Sequence, residues 1–369
     1  MHEDRHRSHL SPDRLCHCEE ANVNHLGQYR TVYNRQKRWY NTTMDKQMTI
    51  SLISDELRNV TTPKKELLER MENIIPWEEW EAIVKPHYYE GERGNKPYPL
   101  ELMLRIYTLQ NLYGLADMAV KYEIIDSRTF SDFCSVDSSN QVPDGDTIGR
   151  FRKILIKNGL QDKLFDNVVG VLESEGLMLR RGTIVDSTLI ESPSSTKNKT
   201  KSRDPEAHQT KKGNVWHFGY KAHIGVDEDS GLIHTLETTA ANVADVVMTP
   251  KLMTGDEEEL VADAGYTGAE KREDARTENK HGEKINYRTC KRPSSLNKLN
   301  ESGQEKAKEE EHQKSSVRCK VEHVFGVVKL LFRCRKTRYR GRQKVDAQLK
   351  IVFALANLYL ADTRFGLQA

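Results

Sequence analysis

Between Val215 and Val226 the chain alternates with period two: Trp216, Phe218, Tyr220, Ala222, Ile224 and Val226 share one side, and His217, Lys221 and His223 take the other. A helix, which advances about 100° per residue, cannot sort that pattern onto faces, whereas a strand does so automatically. Asp227-Glu228-Asp229-Ser230-Gly231 reads as a hairpin turn, and Leu232 to Thr238 returns antiparallel. His223 and His234 then fall on the polar face of a hairpin and are read as ordinary sheet residues rather than ligands. Three further apolar runs supply strands: Thr183 to Ile190, Leu260 to Ala262, and Glu283 to Tyr287.

Helical stretches separate these strands. They are expected over Asp245 to Met253, Ala269 to Asn279, Asn300 to Lys314, the Arg318 to Lys329 region, and Val345 to Leu360. A hairpin followed by strand–helix units predicts an α/β domain, a mixed sheet with helices on both faces. Upstream the pattern is all-α, with Thr62-Pro63 starting one helix and Leu102, Ile106, Leu109 and Leu112 lining another that ends at Gly114. At 369 residues the chain exceeds what one core usually serves. The expected division is a disordered extension over 1–43, with Met44 resembling a start; a helical N-terminal domain over 44–165; and an α/β domain over 166–369. A basic insertion loop spans 191–214, and loops of that length are usually functional.

Two carboxylates stand where apolar strands should tolerate none. Asp186 lies within Thr183-Ile184-Val185-Asp186-Ser187-Thr188, and Asp263 ends Leu260-Val261-Ala262-Asp263 beside Gly265. A buried acid is costly unless it is paired or binds a metal. A third acid, Glu322, sits on a helix whose Val321, Phe325, Val328 and Phe332 form a buried stripe, with Arg318 and Lys329 within about 40° of it on an ideal wheel. Taken alone, that trio is an ordinary solvated ion pair. With two strand acids it becomes an all-oxygen donor set suited to Mg²⁺ or Mn²⁺ and to two-metal phosphoryl transfer.

Several motifs are similar to those of a known family, the DDE transposases of bacterial insertion sequences, in the IS-four/IS-five group. They are Gly182-Thr183-Ile184-Val185-Asp186-Ser187-Thr188, Phe218-Gly219-Tyr220-Lys221-Ala222-His223, Thr238-Thr239-Ala240-Ala241-Asn242-Val243-Ala244-Asp245, Asp263-Ala264-Gly265-Tyr266, and the Arg318/Glu322/Lys329 helix. The resemblance runs from about Met44 to Asp362. It implies a ribonuclease-H-like fold and makes Asp186, Asp263 and Glu322 the catalytic, metal-binding triad for two Mg²⁺ or Mn²⁺ ions, with Arg318 and Lys329 in support. The chain departs from the family signature at Ser315, where a Tyr is usual.

Overall charge is +2, which conceals ten Lys/Arg against the single acid Glu322 between Arg318 and Lys344. Such a block beside a carboxylate site suits a polyanion. Lys197, Lys199, Lys211 and Lys212 in the loop, and Arg333, Arg335, Lys336, Arg338 and Arg340 after the helix, are the expected DNA contacts. The implied partners are terminal inverted repeats and target DNA, met by a homodimer or higher oligomer. Six scattered cysteines and the absence of a membrane-length apolar run point to a cytoplasmic, nucleoid-associated protein with reduced thiols. Cys16-His17-Cys18 lacks the second pair that a zinc site needs. Two other readings share these features: a ribonuclease-H-like nuclease of another role, and a host-adopted DNA-binding protein, which would be expected to lose one of the acids.

Overall fold

The apolar strands assemble as their patterns require. In this computed structural model, residues 60–89, 96–198, 200–291 and 301–367 are described. The expected extension over 1–43, the start at Met44 and Lys199 lie outside them. Among the described residues seven α-helices come first: α1 (Pro63–Ile74), α2 (Trp77–Val84), α3 (Leu100–Tyr113), α4 (Asp117–Asp126), α5 (Arg128–Phe133), α6 (Gly145–Lys157) and α7 (Leu160–Ser174). Thr62 caps α1, its hydroxyl accepting from Lys65 N with Pro63 in the first turn, and Gly114 closes α3 in the left-handed region.

Strands β1 (Gly182–Glu191), β2 (His208–Lys212), β3 (Val215–Asp227), β4 (Ile233–Ala240), β5 (Glu259–Ala262) and β6 (Asn286–Thr289) form one sheet. β1 pairs antiparallel with β3 and parallel with β5, which pairs parallel with β6. On its other edge β3 carries β2 along Val215 to Gly219 and β4 along Tyr220 to Val226. With β2 set aside, three antiparallel strands followed by two parallel ones is the ribonuclease-H-like order. β3 is buried over most of its length, so His223 and His234 are core residues rather than members of a solvated face. Gly225 lets the sheet approach its neighbours: a Cβ there would lie 2.4 Å from the Leu252 carbonyl and 2.6 Å from the His234 ring.

After β4 come a 3₁₀ turn (Asp245–Met248) and the short α8 (Thr249–Leu252), then α9 (Glu301–Gly326), a π turn (Val327–Leu331) and α10 (Arg342–Phe365). Helix α10 is largely buried between Val345 and Ala361, packing on β4 and on α7, α1 and α3, so helices and sheet share one hydrophobic core. Several expectations differ. The strand expected over Glu283 to Tyr287 runs over Asn286–Thr289, and the helix expected over Asp245 to Met253 is a 3₁₀ turn followed by a single α turn. The segment 269–279 holds only a 3₁₀ turn at Ala269–Lys271, because Lys271 to Asn279 has a single small apolar residue, Ala275, and no stripe to bury. The loop 191–214 contains β2, whose His-Gln-Thr-Lys-Lys sequence has no apolar face and is held by backbone pairing at the sheet edge.

The basic segment after the π turn is anchored rather than loose. Phe332, Cys334 and Thr337 are buried between exposed Arg333, Arg335 and Lys336, and residues 335–337 pair with Glu191 at the end of β1. Arg338, expected on a phosphate, has another task. Its guanidinium donates to Gln110 O (2.6 Å), Leu115 O (2.5 Å) and Asn111 Oδ1 (2.8 Å), tying the segment to the last turn of α3 and the residues just after it. Replacing Arg338 by Ala is expected to lower unfolding free energy by about 1–3 kcal/mol, because it leaves Leu115 O and Asn111 Oδ1 without their donor, whereas Gln110 O keeps the backbone N–H groups of Gly114 and Leu115. A urea midpoint unchanged from wild type would contradict that role.

Burial pushes both His223 and His234 down to about 4, with Asp245 opposing the shift at His223 and Glu257 at His234. An unfolded histidine takes up its proton as pH falls through about 6.5, whereas these rings do not until about 4, so stability is full above the upper value and is lost between the two. Each ring withdraws about 1.4 kcal/mol per pH unit in that window. Ring carbon resonances of both histidines should stay in the neutral form down to pH 5; titration of either near 6.5 would contradict this.

Candidate active site

Asp186 sits in the middle of β1 and Asp263 follows the last residue of β5, the strand parallel to it. Parallel pairing therefore brings two acids from opposite halves of the domain to one end of the sheet. Both line a cavity of about 220 Å³ with Ser187, Leu189, Thr210, Lys211, Lys212, Lys221 and Asp245. Asp186 Oδ1 accepts from Ser187 N at 2.7 Å, and Asp263 Oδ1 from Gly265 N at 2.8 Å.

Helix α9 supplies the cation. Arg318 Nη2 donates to Asp186 Oδ2 at 3.1 Å, with both side chains largely buried, 23% and 17% exposed. Burial raises the Asp186 carboxyl above its usual range; Arg318 and the Ser187 N–H act against that, while Asp263 adds to it. Burial likewise works against charge on Arg318, but Asp186 and Asp263 more than offset it and hold the guanidinium above its ordinary value.

Glu322 lies one turn further along α9 and is exposed; neither it nor Lys329 is among the residues lining the Asp186 cavity. Among the described residues Glu322 forms no ion pair with Arg318 or Lys329, the two cations expected to flank it. Arg318 turns to Asp186, and the π turn over Val327–Leu331 changes the helical phase before Lys329. Lys329 is half-buried near Lys212, Glu191, Cys334 and Arg335; burial, with Lys212 and Arg335, lowers it below the usual range. The expected buried stripe holds at Val321, Val328 and Phe332, with Phe325 partly covered.

Of the other expected contacts, Lys211 and Lys212 are exposed on β2 at the cavity rim, and Lys197 is exposed in the loop. Arg333, Arg335 and Lys336 are exposed, and Arg335 Nε donates to Lys329 O at 3.1 Å. Arg340 is exposed but ties the loop down, donating to Thr200 Oγ1 (2.8 Å), Ser202 Oγ (3.2 Å) and Arg203 O (2.6 Å).

Asp245 is a cavity carboxylate that sequence reasoning did not single out. Its Oδ1 accepts from Ser187 Oγ (2.7 Å) and Lys221 Nζ (3.0 Å) and lies 3.5 Å from His223 Nδ1. Only its place at the end of the Asn242-Val243-Ala244-Asp245 motif hinted at it. The Tyr266 hydroxyl is buried and has no hydrogen-bond partner among the described residues, and Asp245, Asp186 and Asp263 all act on it electrostatically.

No group of three His, Cys, Asp or Glu among the described residues is gathered as a metal cage. The donor chemistry nonetheless fits hard divalent cations: Asp186 and Asp263 are carboxylates converging on one cavity, with Glu322 one turn beyond the arginine that marks it. Among the described residues no helix is long and apolar enough to cross a membrane.

Comparison with known proteins agrees with this arrangement. Residues 178–358 match the family described as "Transposase DDE domain", and residues 55–154 match "Transposase domain (DUF772)". A solved structure, the piggyBac transposase synaptic complex with hairpin DNA, is similar over 84% of this chain and 76% of its own, at 11% identity and a TM-score of 0.41. With both family matches falling on transposase domains, one over the helical segment and one over the sheet that carries Asp186 and Asp263, the chain belongs to the DDE transposases.

Proposed function

We propose that this transposase serves an insertion sequence of the IS-four/IS-five type, binding the element's terminal inverted repeats and target DNA and catalysing metal-dependent strand cleavage and strand transfer. The observation that carries this reading is the delivery of Asp186 and Asp263 by two parallel strands into one cavity rimmed by Lys211 and Lys212 and paired to Arg318. Asp186, Asp263 and Glu322 would hold two Mg²⁺ or Mn²⁺ ions, which when bound supply charge stabilisation for an in-line displacement at phosphorus.

The remaining work falls to the chain's own side chains. Arg318 opposes the burial that disfavours charge on Asp186. Lys211 and Lys212 on the cavity rim, with Lys197 in the loop, contact phosphates. Arg333, Arg335 and Lys336 extend the basic track, and Lys329 joins the two sets. The helical segment before residue 166 serves end recognition or dimerisation, and the DNA complex is a homodimer or larger assembly in the bacterial cytoplasm, at the nucleoid. A ribonuclease-H-like nuclease of another role would share the cavity, but the helical segment matched to a transposase domain supports the first reading.

The test uses a duplex carrying the DNA that flanks the coding sequence on both sides. Asp186→Asn, Asp263→Asn and Glu322→Gln should each lower single-turnover cleavage in Mg²⁺ roughly 10³-fold or more, while DNA affinity stays within about threefold, since each removes a ligand but none of the basic surface. Near-wild-type cleavage by any one variant would remove that residue from the triad, and robust cleavage in EDTA would end the metal assignment.

A further inference from the structure

Lys221 is the one lysine of the cavity lining that is not exposed. It lies on β3 opposite Leu189 of β1, with its side chain 15% exposed, whereas Lys211 and Lys212 stand out at the rim. Its ammonium donates to Val243 O at 2.8 Å and to Asp245 Oδ1 at 3.0 Å. An ammonium has three N–H donors, so one is left for a ligand. The same Asp245 oxygen accepts from Ser187 Oγ at 2.7 Å, and Ser187 is the neighbour of Asp186. One carboxylate thus fixes the lysine relative to the strand that carries the first acid.

We propose that Lys221 is the phosphate ligand of this cavity, contacting a non-bridging oxygen of the phosphodiester that lies against Asp186 and Asp263, and that Asp245 is the positioning residue that aims it. The inference rests on the transposase reading for the identity of the phosphodiester, but the contact itself is read by DNA binding alone. A salt link that merely knits β3 to the turn after β4 would leave both readouts below unmoved.

The full-length chain is compared with Lys221→Met, Lys221→Arg, Asp245→Asn and the Lys221→Met/Asp245→Asn double variant. On a mixed-sequence duplex, Lys221→Met should reduce the salt slope of binding by about 0.9, the value for one lost phosphate contact, and Lys221→Arg should restore it. On the duplex carrying the flanking DNA, Lys221→Met should slow single-turnover cleavage about a hundredfold, as loss of one preorganised charge donor does, with Lys221→Arg recovering part of the rate. Asp245→Asn should slow cleavage too, and the double variant should be no slower than Lys221→Met, because Asp245 acts through the lysine. An unchanged slope and rate for Lys221→Met would overturn the phosphate contact while leaving the transposase reading intact. Multiplying losses in the double variant would overturn the positioning role. If the wild type binds DNA without cleaving it, the cleavage reading fails and the slope still decides Lys221; a wild type that binds no duplex would overturn both.

Discussion

The ion pair between Asp186 and Arg318 joins the sheet to the long helix and sets the state of the cavity. Asp186 is a strand residue with little access to water, placed close enough to Asp263 for the two to repel. Burial and Asp263 both disfavour charge on this carboxyl, and the cation beside it acts against them. Arg318 supplies that cation from α9, and its own charge is sustained by both acids. A half-buried pair of this kind is weak evidence for stability, since desolvation offsets much of the attraction. What it supplies is position: it ties α9 to β1, with Glu322 one turn further along the helix.

The second constraint is the π turn over Val327–Leu331. It ends the regular helix, swings Lys329 toward Lys212 and Glu191, and feeds the chain into a segment pinned by Phe332, Cys334 and Thr337. Its alternate residues are left as an exposed cationic row at the end of β1. Arg338 and Arg340 lock that row to the helical segment and to the loop after β1. The basic character that suits a polyanion and the hydrogen bonds that hold the domain together therefore come from neighbouring arginines, which composition alone cannot separate.

Much of this was legible before any coordinates. The period-two run from Val215, the acids set into β1 and after β5, and the stripe through Val321, Val328 and Phe332 each carry a signal in local apolar spacing, and each element formed where that signal lay. What was not legible has physical reasons. β2 has no apolar residue and is specified by backbone pairing alone. Segment 269–279 has helix-forming residues but nothing to bury. Asp245 meets Ser187 only after the β3–β4 hairpin closes a separation of 58 residues, so no local pattern could reveal it. The change of phase at Lys329 and the hydrogen bonds of Arg338 depend on tertiary contacts that an ideal helical wheel omits.

The central claim, that the cavity between β1 and β5 is a divalent-metal site built on Asp186 and Asp263 and completed from α9, is tested most directly by anomalous diffraction from crystals of the full-length chain grown with Mn²⁺ and DNA. Manganese peaks within bonding distance of the Asp186 and Asp263 carboxylates, with Glu322 turned inward to share one of them, are the expected result. Saturating Mn²⁺ that leaves no peak between those two acids, or that places the metal elsewhere on the chain, would contradict it.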